Sequence, residues 1–175
     1  MTTRRIIIVD DHPLFRAALR QTLAGGDPSI SVEEAGDLSA LSAALEADRD
    51  CDLVLLDLNM PGVRGFSGLL LLRAQYPEIP VMIVTAVEDG GIIRRAFELG
   101  ASGYLHKSVG PADIRRAIET VLSGEVFVPE GMEFPAEDNQ SALMRRLATL
   151  TPQQVRVLMM LSDGLMNKQI AYELS

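Results

Sequence analysis

The chain has 175 residues, 47% of them hydrophobic, so it can hold one ordinary domain and part of a second. Its formal net charge of −8 argues against broad, non-specific nucleic-acid affinity, because such binding depends on neutralising phosphates. The one cysteine, Cys51, excludes an internal disulfide. Neither a signal-peptide pattern nor an apolar stretch of about 18 residues is present, so we expect a cytoplasmic protein without a membrane segment.

Up to Gly124, short apolar runs alternate with segments of helical periodicity. The runs are nearly unbroken and rich in β-branched residues, which is typical of parallel strands buried on both faces. The predicted strands span residues 6–9, 30–35, 52–58, 81–86 and 104–106. The predicted helices span residues 13–23, 38–47, 68–76, 92–99 and 111–122. These successive strand–helix units predict an α/β fold with a doubly wound, five-stranded parallel sheet.

A different pattern follows Gly124. Residues 129–140 are rich in proline, glycine and acidic residues without a period, which is the composition of a linker. Residues 151–154, TPQQ, combine an N-cap threonine, a proline at the first helical position and a capping-box glutamine. The helix that begins there is predicted to end at Gly164, and Asn167 to cap a second helix. A helix, a glycine-containing turn and a helix indicate the opening of a helix-turn-helix unit.

Polar residues stand at the ends of four of the predicted strands. They are Asp10 and Asp11, Asp57, Thr85 and Lys107. Because ligand sites of parallel sheets lie beyond the carboxyl ends of the strands, we expect these groups in one cleft. Taken singly, an acid can be a helix cap or a solvated loop residue, Thr85 an ordinary strand residue and Lys107 a surface charge. Their coincidence at strand ends favours a site.

The residue types in this cleft suggest its chemistry. Two or three carboxylates without nearby histidine or cysteine ligands suit Mg²⁺, a hard ion that keeps several waters. A hydroxyl and an ammonium beside the ion would hold the oxygens of a phosphoryl group while Asp57 attacks it in line. His12 and His106 are isolated in the sequence, and we predict that they are loop or strand-end residues rather than ligands.

Four strings carry a resemblance to a known family: IIIVDDHPLFR, LVLLDLNMPG, VMIVTA and GASGYLHKS. Over residues 4–129 they resemble the flavodoxin-like receiver domain of two-component response regulators. The string LTPQQVRVLMMLSDGLMNKQIAYELS resembles the start of the LuxR-type helix-turn-helix domain, which indicates the NarL/FixJ family. The resemblance implies a receiver domain over residues 1–129, a linker over 130–148, and a partial all-α segment over 149–175 without its recognition helix.

The resemblance also implies the chemistry of the site. Asp57 would accept a phosphoryl group from the phosphohistidine of a sensor histidine kinase. Asp11, with Asp10 acting partly through water, would bind Mg²⁺ together with Asp57. The backbone carbonyl of Asn59 would complete the ligand set. The protein would not be an enzyme acting on a separate substrate, but a phosphoacceptor that catalyses its own Mg²⁺-dependent phosphotransfer and dephosphorylation.

A switch is implied beside the phosphoacceptor. Lys107 would pair with the phosphoryl group, Thr85 would swing toward it, and Tyr104, at the family's aromatic switch position, would turn inward. The alternative for Tyr104 is an ordinary half-buried aromatic residue. Ser108 departs from the family pattern, which often has a proline there after a cis peptide bond; a cis bond before a non-proline residue costs about 2.5–4 kcal/mol.

Self-association and DNA binding are the expected outputs. Leu14 and Ala17 lie outside the core stripe of the first predicted helix, and with Ile114 and Ile118 of the fifth they form a candidate surface for a homodimer on phosphorylation. The alternative is scattered apolar surface residues. DNA would be bound only through a complete output domain, which this chain lacks. Its last two helices are expected to dock on the receiver, to pair with another chain or to be disordered.

Three functions follow from these observations. The leading one is a phosphorylation-controlled transcription regulator. The second is a protein-interaction regulator that uses only its receiver and binds no DNA. The third is a phosphatase of the haloacid dehalogenase type, which also uses an aspartyl nucleophile and Mg²⁺. Such phosphatases carry an acid two residues after the nucleophile, where this chain has Asn59.

Overall fold

The computed structural model describes residues 3–25, 27–63, 65–131, 149–162 and 164–174. Its strands are β1 (Arg4–Val9), β2 (Ile30–Ala35), β3 (Leu53–Leu56), β4 (Val81–Thr85) and β5 (Gly103–His106). Its helices are α1 (Pro13–Ala24), α2 (Leu38–Ala47), α3 (Ser67–Gln75), α4 (Gly90–Glu98), α5 (Pro111–Leu122), α6 (Pro152–Ser162) and α7 (Asn167–Glu173). Most of the predicted linker lies outside the described residues. Among those described, no helix combines the length and apolar character needed to span a bilayer.

The strands form one parallel sheet in the order β2-β1-β3-β4-β5, which confirms the predicted doubly wound architecture. From β1 the chain moves outward to β2, and from β3 it continues in the opposite direction to β5. The sheet therefore changes direction between β1 and β3, where ligands of open α/β sheets bind. Val9 pairs with Leu56 in the register of these two strands, so the residues that follow them flank this switch point.

Two layers of helices cover the sheet. The first core cluster contains Ile7 and Val54 with buried residues of α2, α3 and α4. The second core cluster contains Ile8 and Leu55 with buried residues of α1 and α5. Successive strand residues point to opposite faces, so an unbroken apolar run supplies both clusters.

Helix α4 begins at Gly90, two residues earlier than predicted. The carboxylate of Asp89 accepts a hydrogen bond from the backbone N–H of Ile92 at 3.0 Å and so caps the helix. An aspartate at this position satisfies a backbone donor that would otherwise lack a partner. The cap explains why Gly90 and Gly91 join the first turn despite their low helix propensity.

The candidate dimer surface requires a correction. Leu14 is 87% exposed and Ala17 is also exposed, as expected for residues outside the core stripe of α1. Ile114 and Ile118 are 8% and 1% exposed and belong to the second core cluster. Their stripe on α5 packs against the sheet, so these two isoleucines are not available to a partner.

Of the three outcomes expected for the last two helices, the structure shows docking on the receiver. Helix α6 contacts α3, and Val155 is buried in the first core cluster with only 1% of its surface exposed. Leu150 and Met159 pack against the same cluster. Helix α6 therefore extends the apolar layer that covers α3.

The ends of these helices follow local hydrogen-bonding rules. The predicted capping box is present, because the N–H of Thr151 donates to Gln154 Oε1 at 2.9 Å and the N–H of Gln154 donates to Thr151 Oγ1 at 3.3 Å. Asn167 is the first residue of α7 rather than its cap. The N–H of Met166 donates to Gln169 Oε1 at 2.8 Å. The side chain of Gln169, rather than an asparagine cap, therefore accepts this hydrogen bond at the N-terminus of α7.

Replacing Val155 with aspartate should release α6 from the receiver. Burial of an unpaired carboxylate is unfavourable, so the amides of α6 should exchange at least about tenfold faster. Hydrogen-exchange mass spectrometry would compare peptides of α6 with peptides of β3, which should be unchanged. Leu158→Asp is the matched control, because Leu158 is 38% exposed on the same helix. Equal exchange in the two variants would contradict the docking assignment.

Candidate functional site

The ends of four strands bring the predicted polar residues together. Asp10, Asp57 and Thr85 are the three buried polar or charged residues in the described part of the chain. The backbone holds their positions, since the N–H of Asp57 donates to Val9 O at 2.9 Å and the N–H of Lys107 donates to Thr85 O at 2.9 Å. These bonds continue the strand pairing past the last paired residues and bring the following side chains to one edge of the sheet.

Lys107 is the cation of this site. Its Nζ lies 2.6 Å from Asp10 Oδ2 and 2.7 Å from Asp57 Oδ2. Burial alone would lower the pKa of Lys107, but its hydrogen bonds with the two carboxylates and their charges outweigh burial and raise the pKa above its ordinary value. The carboxylates are almost fully buried, so the ammonium compensates charges that would otherwise be unfavourable in the protein interior.

The second oxygens of the two buried carboxylates are bound to the loops that follow the strands. Asp57 Oδ1 accepts a hydrogen bond from the N–H of Asn59 at 3.1 Å. Asp10 Oδ1 accepts one from the N–H of His12 at 2.8 Å and lies 3.0 Å from His12 Nδ1. Each carboxylate is therefore fixed between the lysine and the chain that follows it.

Asp11 differs from its neighbours because one of its oxygens lacks a hydrogen bond. Asp11 Oδ1 is buried without a hydrogen-bond partner, although His12 Nδ1 approaches it to 3.0 Å. The Nδ1 atom can donate only one hydrogen, and its hydrogen bond is with Asp10. A buried carboxylate oxygen without a donor is suited to a cation.

These groups are close enough to hold a metal ion. One ligand atom from each of Asp10, Asp11, His12 and Asp57 lies within 4.8 Å of the others. The oxygen-rich set and the orphaned oxygen of Asp11 fit Mg²⁺, which prefers carboxylates and water. His12 lies in the loop before α1, as predicted, and its ring contacts two of the acids. The hydrogen bond to Asp10 gives His12 a role in orienting that carboxylate.

Thr85 and Tyr104 lie on the neighbouring strands β4 and β5. Thr85 Oγ1 is fully buried and lacks a hydrogen-bond partner within the described ranges. Tyr104 is 1% exposed, and its hydroxyl donates to Val87 O at 2.6 Å. Its ring therefore points inward, and its hydroxyl joins β5 to the loop between β4 and α4 by a hydrogen bond. Burial raises the pKa of Tyr104 to about 12, and the charges of nearby acids, Asp89 foremost, act in the same direction.

Two residues of α1 contact the site and were not predicted from the sequence. The ring centroid of Phe15 is 4.8 Å from Lys107 Nζ. Arg16 Nη1 donates to Asp10 O at 2.5 Å, and its Nε donates to Glu34 Oε2 at 3.2 Å. Both residues lie in the first turn of α1, which directly follows the acids, and this position is the signal that could have identified them. No peptide bond among the described residues is cis, so Ser108 follows Lys107 through a trans bond.

Comparison with known proteins agrees with this fold. Residues 6–119 match the response regulator receiver domain, and residues 148–175 match the bacterial regulatory proteins of the luxR family. The chain is 42% identical to the glycerol metabolism activator of Pseudomonas putida, over 97% of this chain and 80% of that protein. It is 30% identical to the nitrate/nitrite response regulator protein NarL of Escherichia coli K12, with the same coverage of each chain.

A solved structure gives the same result. The crystal structure of a LuxR family DNA-binding response regulator from Silicibacter pomeroyi matches with a TM-score of 0.65 and 35% identity, covering 73% of this chain and 98% of that one. A parallel sheet with an acidic switch point and a strand-end lysine defines a receiver protein. The chain belongs to the NarL/LuxR family of response regulators, which join a receiver to a LuxR-type DNA-binding module and regulate transcription.

The burial of Tyr104 predicts an unusual titration. The fold favours the neutral hydroxyl of Tyr104 over its ionised form. The contribution of this hydroxyl to folding stability is therefore present below the ordinary tyrosine pKa of about 10, and it is lost as the pH rises toward about 12. Up to about pH 10, the wild type and Tyr104→Phe should therefore give equal tyrosinate absorbance. Tyrosinate absorbance of the wild type above that of Tyr104→Phe in this range would contradict the buried, hydrogen-bonded hydroxyl.

Proposed function

We propose that Asp57 accepts a phosphoryl group from the phosphohistidine of a sensor histidine kinase and that this modification controls the transcriptional output. The position of Asp57 carries the proposal. Its carboxylate follows β3 at the switch point of the sheet, with Oδ2 2.7 Å from Lys107 Nζ. A nucleophile in this position has a fixed cation beside it, which can stabilise charge on an incoming group.

The transfer balances with the groups present. An oxygen of Asp57 attacks phosphorus, the O–P bond forms as the P–N bond of the phosphohistidine breaks, and the imidazole leaves with the bonding electron pair. Lys107 then directs its N–H donors to the phosphoryl oxygens instead of Asp57 Oδ2. Hydrolysis of the resulting acyl phosphate would return Asp57 to its carboxylate form.

The metal in this proposal is Mg²⁺, held by Asp10, Asp11 and Asp57 with the backbone carbonyl of Asn59. The orphaned Asp11 Oδ1 and the closeness of the ligand atoms support this assignment. When bound, the ion neutralises charge on the phosphoryl oxygens and the carboxylates. His12 holds the Asp10 carboxylate in place through its backbone N–H and its ring.

The response to phosphorylation is assigned to Thr85 and Tyr104. The buried hydroxyl of Thr85 lacks a partner within the described residues, and a phosphoryl oxygen on Asp57 is an acceptor that it can reach by moving. Thr85 immediately precedes the loop of residues 86–89, whose Val87 carbonyl accepts the Tyr104 hydroxyl. A shift of Thr85 therefore displaces this loop and alters the face formed by α4, β5 and α5.

The output is assigned to the second module. We place the receiver in residues 1–129, the linker in 130–148 and the LuxR-type segment in 149–175. Like the Silicibacter pomeroyi regulator, described as DNA-binding, the protein would act on DNA, and only through a complete LuxR-type output domain, to which this segment belongs. The exposed Leu14 and Ala17 remain candidate contacts for a homodimer formed on phosphorylation.

Phosphoryl uptake tests the assignment of Asp57. The full chain treated with acetyl phosphate and Mg²⁺ should gain the mass of one phosphoryl group, and Asp57→Asn should not, because an amide is a poor nucleophile. Asp50→Asn is the control, since Asp50 is an exposed acid that precedes β3 at the other end of the sheet. Uptake by Asp57→Asn at the wild-type level would place the phosphoacceptor elsewhere.

Metal binding tests the role of Asp11 separately. Asp11→Asn should weaken Mg²⁺ binding by about tenfold or more, because it removes a charged oxygen ligand and leaves Asp57 intact. Isothermal titration calorimetry of the unphosphorylated chain gives this affinity directly. Asp113→Asn, an exposed acid on α5, should bind Mg²⁺ as the wild type does. Equal affinities for all three proteins would remove Asp11 from the ligand set.

A further inference from the structure

We propose that Phe15 is a positioning residue for phosphotransfer: the face of its ring holds the ammonium of Lys107 beside Asp57. This inference rests on the proposed function of Asp57 and adds a residue to it. The ring centroid lies 4.8 Å from Lys107 Nζ, within the distance of about 6 Å at which an aromatic face attracts a cation.

The donors of the ammonium support this assignment. Lys107 carries three N–H donors, and the hydrogen bonds to Asp10 Oδ2 and Asp57 Oδ2 use two of them. The aromatic face of Phe15 covers the ammonium at a further side, where water would otherwise compete. The lysine is thus held by two carboxylates and one ring.

The placement of Phe15 explains how it can act as a support. It lies in the first turn of α1, half-buried against the second core cluster. Leu19 and Leu23 follow on the same helix and are buried in that cluster, which fixes the helix on the sheet. The adjacent Leu14 is 87% exposed, so α1 directs its aromatic residue toward the lysine and its neighbouring aliphatic residue toward solvent.

The ring contact differs from the carboxylate contacts during the reaction. When a phosphoryl group is added to Asp57, the lysine must change its hydrogen-bond partners. A cation–aromatic attraction has no single acceptor atom, so it can persist while the N–H donors reorient. Phe15 therefore limits the movement of Lys107 to the orientations that reach Asp57 and its phosphoryl oxygens.

Two substitutions separate this role from simple packing. Phe15→Leu keeps an apolar side chain without an aromatic face, and it should slow phosphorylation by acetyl phosphate at saturating Mg²⁺ about three- to tenfold. Phe15→Tyr keeps the face and should restore the rate to within about twofold of the wild type. Gln21→Ala, at an exposed residue of the same helix, is the control for changes in α1. Equal rates for Phe15→Leu and the wild type, or equal losses in the leucine and tyrosine variants, would overturn the proposal.

A spectroscopic readout makes the test independent of phosphotransfer. In the unphosphorylated full chain, the ring current of Phe15 should shift the side-chain proton resonances of Lys107 upfield. The shift should disappear in Phe15→Leu and remain in Phe15→Tyr. A failure of Asp57 as phosphoacceptor would leave this shift intact, whereas its absence from the wild type would refute the role of Phe15 alone. Circular dichroism of each variant establishes that the fold is retained.

Discussion

The ion contacts of Lys107 with Asp10 and Asp57 are the interaction on which the site depends. Two carboxylates that are almost fully buried at adjacent strand ends repel each other and lose their hydration. The ammonium lies within 2.7 Å of both and makes their burial possible. Removing one partner of a buried pair generally costs about 3–5 kcal/mol. The single ammonium offsets only part of the negative charge of Asp10, Asp11 and Asp57, so the site keeps a net negative charge that suits a metal ion.

The first turn of α1 is the mechanical support for this arrangement. Arg16 binds the backbone carbonyl of Asp10 and the side chain of Glu34 on β2, while His12 binds the Asp10 carboxylate. Phe15 contacts the lysine that comes from β5. These contacts join strands that are not neighbours in the sheet, since β2 and β5 are its two edges. The helix thus fixes the distance between the acids and the lysine, which the strand pairing alone does not determine.

The sequence predicted the sheet and the residues at its strand ends because both depend on local patterns. Apolar runs define buried strands, and the parallel arrangement then places Asp57 and Lys107 at one edge. The cap by Asp89 was missed because an aspartate before two glycines also reads as a turn. The burial of Ile114 follows from its place on the apolar stripe of α5, which the predicted dimer surface did not take into account. The contact of Phe15 with Lys107 joins residues far apart in sequence and does not follow from periodicity.

The packing also connects the site to the second module. Tyr104 and Val155 belong to the same core cluster, so the receiver around Tyr104 and helix α6 share one apolar layer. Shared packing does not by itself couple the two modules. Coupling requires an element that has two arrangements, and both sites must influence the equilibrium between them. In the proposed switch, the loop of residues 86–89 would be such an element, whereas Leu69, Leu70 and Leu72 hold α3 in the core. The loop carries the Val87 acceptor of Tyr104 and the Asp89 cap of α4, and each of these contacts is a single hydrogen bond.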